Sequence, residues 1–439
     1  MGQDSTSRFD LVIVGGGAAG LMAACQAPQG LRIAVCEHLP EAGRKLLATG
    51  GGRCNFTTAM DSGALPALFG RQGRFIVPAL RAMPPQGLRD WFARIGVPSV
   101  VEEGRFVFPE SHCAADVRDA LLAQARKRGA TVLLGTKAES LLLRETGRDG
   151  GNRISRAVAG VRTSRGVLRA PHVLLATGGC SMPALGSDGS GYALAREAGH
   201  TTSPPLPALV PLRAADDWAK KLPGVSLEEA LLRFEPPAGC SPALRRAGTR
   251  EEYGPVLFTH HGLSGPAALN LSGIVAAALE EQAGQPSPGI RVILRPIAGR
   301  DERSWQRQLA TWRAEGGRRS VRNLLSGVLP RAVATTLCSL AEVPDVALAQ
   351  TPGKALARLA GYCGGTPLAI SGTDGWNHSM VTRGGVTLPE IDPATLRSKL
   401  ADGLSFAGEV VDLDAPCGGF NLTWAFASAT LAARSVASA

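Results

Sequence analysis

Hydrophobic positions along the chain fall into two patterns. The first is a short unbroken apolar run that stops at glycine or at an acid, which predicts a strand buried on both faces of a parallel sheet. Residues 11–14 run into Gly15, residues 31–36 stop at Glu37, and residues 172–176 stop at Thr177 and Gly178. Residues 131–134 form a similar run, and residues 404–407 lead into Gly408 and Glu409. The second pattern has apolar residues three and four apart, which predicts helices. It follows Gly20 (LMAACQA) and recurs over 75–96, over 114–128 (Val117, Leu121, Leu122), from Gly189 and from Gly418. VVEEGRFVFPES (100–111) reads as a hairpin about a Glu-Gly turn, and 148–171 as a small antiparallel meander.

At TTSPPLPALVPL the composition changes, and four prolines in quick succession mark a boundary. Beyond it come short β-like runs (VSLEEALLRF, EEYGPVLFTH, IRVILRP) with helical segments among and after them (SGPAALNLSGIVAAALE, SWQRQLATWRA). Trp305 and Trp312 share one helical face and read as core. The expected architecture is α/β. A doubly wound domain is made from 1–205 and 370–439, and a β-barrel-like plus helical domain, 206–369, is inserted into it.

At 439 residues the chain exceeds one ordinary domain. No apolar run approaches the ~20 residues needed to cross a membrane, and the polar start has no signal-peptide core, so a cytoplasmic location is expected. Nine cysteines lie dispersed without a C-x-x-C pair, which argues against a disulfide framework and a metal site. The net charge of +10 suits an anionic ligand, either a dinucleotide or nucleic acid. The arginines are spread out and only 5% of residues are aromatic, so a solvated basic surface is the simpler reading.

The first strand and turn carry the most specific chemistry. Gly15, Gly17 and Gly20 have G-x-G-x-x-G spacing between a predicted strand and a predicted helix, with an acid, Glu37, about 20 residues on. Gly15 allows the tight turn, Gly17 lets backbone approach a pyrophosphate, and Gly20 lets helix and strand pack closely. Ala18 and Ala19 open a helix whose free N–H groups would face the phosphates, and His38 adjoins the acid. A second glycine cluster, 50–52, is flanked by Arg44, Lys45 and Arg53, then Cys54 and Asn55. Gly51 lies at its centre. Flexible backbone with cations and small polar groups suits a close-lying anionic or planar ligand. Near the other end, Gly418 and Gly419 precede a helix beginning Phe420, Asn421, Leu422, whose N-terminus would present N–H groups to a ligand. Two such glycine-to-helix sites, one near each end, predict that both ends build one domain. Cys54 and Cys180 both lie in glycine-rich segments, where a redox-active thiol is conceivable.

VGGGAAGL followed by GRKLLATGGGRCN resembles the BaiN-like bacterial flavoproteins, NAD(P)/FAD-dependent oxidoreductases whose FAD-binding half is similar to that of glutathione reductase-type enzymes. The similarity extends to ATGG, GSDGSGY, FTHHGLSGP, MVTRGGV, GLSFAGE and GGFNL. Cys417 and the lead-in GTDGWNHS depart from the pattern. The resemblance implies non-covalent FAD, with Glu37 on a ribose and the first glycines at the pyrophosphate. It puts the backbone near Ala138 at the adenine, Thr177 and Gly178 against the dinucleotide, and Glu409 beside Gly408 on the ribityl chain. Residues 44–55 and 418–422 would surround the isoalloxazine. His260 takes the family's histidine position and, with Cys54, is a catalytic candidate. The implied reaction passes hydride from NAD(P)H through flavin to an unidentified small molecule, hydrophobic and unsaturated. The nicotinamide would bind transiently, since there is one complete G-x-G-x-x-G. Two alternatives stay open: an FAD-dependent RNA-modifying or RNA-binding protein, and a non-catalytic flavin sensor.

Overall fold

Leu11–Val14 is buried along its whole length, and it lies at the centre of the sheet that explains why. In a computed structural model that describes residues 6–148, 154–248, 250–284, 289–315 and 317–436, five strands run in parallel. Their order is Leu404–Phe406, His172–Leu175, Leu11–Val14, Ile33–Cys36 and Thr131–Leu133. An interior parallel strand has covered faces on both sides, hence its unbroken Leu-Val-Ile-Val. The outer strand, Leu404–Phe406, comes from the far end of the sequence. Helix Ala18–Gln26 packs against helix Phe420–Ser435, and Leu21, Met22, Phe406 and Phe426 share one buried core.

A second sheet holds the predicted meander. Ala138–Arg148, Ile154–Thr163 and Gly166–Arg169 pair antiparallel, while Thr6–Arg8 and Ala401–Asp402 add in parallel at its margins. The hairpin is Ser99–Glu102 with Phe106–Pro109, joined by Thr57–Thr58. The single helix expected over 75–96 is instead two, Val77–Ala82 and Pro85–Arg94. Pro84 supplies no N–H to the ladder and pushes Met83 out of helical geometry, to φ −150°.

The chain divides into two compact units, one of 1–205 and 380–439 and the other of 206–379. The second boundary lies beyond the expected 370, because Thr366–Thr373 belongs to the inserted unit. It is one strand of a closed six-stranded barrel with Leu212–Ala214, Gly262–Ser264, Glu251–Phe258, Ser226–Glu235 and Arg291–Arg295. Closure leaves the barrel no free edge. Helix Pro266–Glu281 packs on Glu251–Phe258 and Ser226–Glu235. Helices Glu302–Ala314, Val321–Leu325, Arg331–Leu340 and Gly353–Gly364 complete this unit. Trp305 is wholly buried in its core and Trp312 packs against it, as their shared face predicts.

Candidate functional site

The glycines of the first turn do different jobs. Gly15 has φ +105°, and a Cβ on it would lie 2.4 Å from the Ala176 carbonyl oxygen. A Cβ on Gly20 would lie 1.8 Å from the Gly15 carbonyl oxygen, so the helix rests directly on the loop. Gly17 has φ −80°, open to any residue, and a Cβ there would meet nothing within 4 Å. Two glycines are therefore required by the chain itself, while the third leaves room. Helix Ala18–Gln26 has no side-chain cap, so the N–H groups of its first turn, Ala18, Ala19 and Gly20, face out of its positive end.

Glu37 is buried at the end of the second strand. Its Oε2 accepts from the Gly16 N–H at 2.9 Å and its Oε1 from the Leu39 N–H at 2.9 Å, with His38 Nδ1 3.3 Å from Oε1. A carboxylate has about four acceptor sites, so half of this one is committed to the protein's own backbone. The exit of the third strand is tied to the same place, with Gly135 N–H on Leu39 O and Thr136 N–H on Glu37 O. Ala138, half-buried, opens the next strand opposite Thr163.

The segment carrying Arg44 and Lys45 starts on the glycine loop itself, where the Gly43 N–H donates to the Gly16 oxygen at 2.9 Å. Lys45 Nζ donates to Glu409 Oε2 at 2.7 Å and to the Ser181 hydroxyl. Glu409 Oε1 accepts from the Ser181 hydroxyl and the Thr382 N–H, both at 2.7 Å. Thr382 Oγ1 in turn accepts from the N–H groups of Cys180, at 2.8 Å, and Ser181, at 3.1 Å. Four distant stretches of sequence thus share one hydrogen-bonded ion pair. Ser181 and Thr382 are absent from the residues the sequence singles out. Ser181 lies two residues past ATGG and Thr382 is the threonine within MVTRGGV, and nothing in the spacing says that they meet. Both Glu409 oxygens already hold donors within the protein.

The residues that follow the second glycine cluster, Asn55 and Thr57, lie against the opening of the last helix. Gly419 has φ +80°, and a Cβ on it would lie 2.4 Å from Thr57 O and 2.9 Å from Asn55 Oδ1. Gly51, with φ +65°, faces open space, as does Gly52. Asn55 Oδ1 accepts from the Val107 N–H at 3.2 Å. Arg53 pairs with Glu102 at 3.2 Å and covers the Phe108 ring at 4.1 Å. Asn421 closes its own loop, accepting from the Ala415 N–H at 2.9 Å and donating to the Ala415 oxygen at 2.8 Å. Phe420 is buried, Leu422 half-buried, and Gly418 (φ +142°) lies against the Phe420 ring. Gly408, at φ +75°, is held by both ends of the sequence. A Cβ there would lie 2.9 Å from the Ala19 Cβ, its N–H donates to Ser428 Oγ at 2.9 Å, and its oxygen accepts from Trp424 Nε1 at 3.0 Å. Gly178 (φ +73°) packs on Ser187, and Thr177 beside it packs on Gly191.

The two catalytic candidates fare differently from the binding residues. Cys54 is fully buried, and burial pushes its thiol up to about 12, so it stays protonated and unreactive near neutrality. That removes it as a nucleophile. Burial, with Glu409 nearby, also raises the Cys180 thiol. His260 is exposed on a turn of the other unit, between Glu251–Phe258 and Gly262–Ser264. Thr259 ties that turn, its Oγ1 accepting from the N–H groups of His261 at 3.3 Å and Gly262 at 3.1 Å. Every expected cofactor-binding residue lies in the unit of 1–205 and 380–439.

Residues 9–435 match the family described as HI0933-like protein Rossmann domain. The chain is 31% identical over 433 residues to 3-dehydro-bile acid delta(4,6)-reductase of Clostridium scindens, which covers 97% of this chain and 98% of that protein. It is 29% identical over 437 residues to ribosomal RNA dihydrouridine synthase of Escherichia coli, covering 98% and 99% of the two chains. Among solved structures, 3-ketosteroid delta1-dehydrogenase of Sterolibacterium denitrificans has the same fold, with TM-score 0.54 at 15% identity over 98% of this chain and 99% of that one.

Proposed function

Because the chain belongs to the HI0933-like protein Rossmann family, we propose that it is an FAD-dependent oxidoreductase that reduces a carbon–carbon double bond in a small organic acceptor. The observation that carries this reading is the space at Gly17. That glycine meets no steric demand of the protein, yet it sits at the uncapped end of a helix between two glycines that do. A Cβ there would fill room that a pyrophosphate needs, and the donor chemistry fits, since N–H groups face an anion. Gly51 and Gly52 offer similar room to a flat ring.

In this reading the N–H groups of Gly17, Ala18 and Ala19 hold the pyrophosphate. Glu37 offers its two uncommitted acceptor sites to ribose hydroxyls, and the backbone near Ala138 adjoins the adenine. Segments 44–55 and 418–422 enclose the isoalloxazine, where the positive end of helix Phe420–Ser435 favours electron-rich atoms. Asn421 acts there by fixing the 415–421 loop, and Arg53 by holding the glycine segment against Phe108. Bound FAD supplies hydride transfer, and NAD(P)H is the proposed donor. The names of two relatives support an unsaturated acceptor, since a delta(4,6)-reductase and a dihydrouridine synthase each saturate a double bond.

A second reading, action on RNA, draws on that synthase and on the net charge of +10. The charge is not concentrated in the inserted unit, whose 19 Lys and Arg face 15 Asp and Glu, so the small-molecule reading is preferred. A visible spectrum of the purified protein, followed by anaerobic titration with NADH and NADPH, tests the proposal. Flavin bands that bleach support it. A colourless protein that takes up no FAD overturns it, and bands that persist point to a sensor. Co-purified nucleic acid released steeply by salt favours the RNA reading.

A further inference from the structure

We infer that Lys45 donates directly to bound FAD, and that Glu409 is the residue that holds Lys45 in place rather than a ligand of the ribityl chain; this rests on the FAD reading above. An ammonium has three N–H donors. Two of Lys45's are committed, to Glu409 Oε2 and to Ser181 Oγ, which leaves one. About a fifth of the side chain is open to its surroundings. The pair is built from segments that all begin on the glycine loop. Gly43, two residues before Lys45, donates to the Gly16 oxygen. Ser181 follows the Ala176–Thr177 backbone on which Gly15 lies, and Glu409 follows Gly408, which lies on Ala19. The ammonium is thereby fixed where the loop, the strand ends and the first helix meet, the ground proposed for an anionic dinucleotide.

Glu409 has the opposite character. Its oxygens accept from Lys45, the Ser181 hydroxyl and the Thr382 N–H, so a ribityl hydroxyl would have to displace a charge-assisted bond or share a crowded acceptor. Two short bonds on Oε1 and one on Oε2 define a single orientation, and that orientation aims the ammonium. The pair is neutral at long range. At contact, a ligand atom on the free side of Nζ meets the N–H and not the carboxylate, and Coulomb attraction is steepest there.

The test measures acylation of individual lysines by an amine-reactive ester at pH 8, read by peptide mass spectrometry with Lys399, exposed and bonded through Nζ to the Pro389 oxygen, as internal reference. Against the FAD-free wild-type protein, saturating FAD should slow acylation of Lys45 at least tenfold and leave Lys399 unchanged. In FAD-free Glu409→Gln, Lys45 should acylate at least fivefold faster than in the FAD-free wild type, because its counter-ion is gone. A merely structural loss would raise the rates of both lysines together. Lys45→Gln should weaken FAD binding at least tenfold, and Lys45→Arg, which keeps the charge, should stay within threefold. Unchanged Lys45 acylation when added FAD turns the FAD-free wild-type protein yellow overturns the inference while leaving the FAD reading intact. Unchanged Lys45 reactivity in Glu409→Gln overturns the role given to Glu409. A wild-type protein that takes up no FAD overturns the FAD reading itself. If Glu409→Gln does not fold, the wild-type comparison and Lys45→Arg still decide whether Lys45 faces FAD.

Discussion

One methyl group separates the roles of Gly17 and Gly20. Gly20→Ala forces a carbon to within 1.8 Å of backbone and should destabilise the protein by more than ~3 kcal/mol, read as a collapse of the melting temperature or of soluble yield. Gly17→Ala has space and an ordinary φ. It should cost under ~1 kcal/mol at the helix start yet weaken FAD binding at least tenfold by flavin fluorescence titration. The order within G-x-G-x-x-G already reads Gly17 as the approach to a pyrophosphate and Gly20 as the packing contact, and the 1.8 Å distance supplies the steric reason for the second. Cys54 is a different case. Its glycine-rich setting suggests a site, but reactivity depends on burial, which local sequence does not carry. Iodoacetamide at pH 8 should label the exposed Cys113 first and reach Cys54 only on unfolding. The Lys45–Glu409 bond spans 364 residues. No local pattern encodes such a pair, although both partners lie in legible motifs.

Among the elements, strands and helices with one dominant period were readable, and the failures have particular causes. The break at Pro84 is a local steric effect that proline itself announces. The boundary at 380 was not readable, because Thr366–Thr373 is assigned by its partners, Arg291–Arg295 and Leu212–Ala214, and barrel closure is a long-range event. The last helix holds the last strand end through two side chains, Trp424 and Ser428. Trp424→Phe removes one of two donors to the buried Gly408 oxygen, leaving the Val411 N–H at 3.3 Å, and should cost about 1 kcal/mol in a denaturant titration. Glu390 joins the 388–398 segment to Thr201. Burial pushes its carboxyl up, but the N–H and O–H of Thr201 and the Thr387 hydroxyl outweigh this and hold it below its ordinary value of 4.5. A depressed pKa means stability that is present above the ordinary value and lost as pH falls through the folded one. Wild type should therefore exceed Glu390→Gln by about 1 kcal/mol near pH 7. The gap should shrink as pH drops below 4.5, as followed by thermal melts across pH.

At the scale of the whole molecule, ligand binding and folding are coupled through one unit. FAD at a hundredfold over its dissociation constant should stabilise the unit of 1–205 and 380–439 by about 2.7 kcal/mol. Hydrogen exchange should show slower opening in peptides such as 11–26 and 420–435. The sequence made the shared authorship of this unit legible through its two glycine-to-helix motifs. It left the strand order open, since the partners of Leu404–Phe406 are fixed only when the sheet assembles.

That outer strand has a consequence for how the protein is born. The ribosome delivers Leu404–Phe406 and Phe420–Ser435 after the other four strands of the sheet and after the barrel, at roughly 5–20 residues per second. Until they emerge, the glycine loop has no Gly408 beside Ala19, Lys45 has no Glu409, and residues 55–57 have no Gly419 against them. On the FAD reading the nascent chain should therefore seize no coenzyme before they emerge, while the six barrel strands, all inside 206–379, have already been made and can close ahead of it.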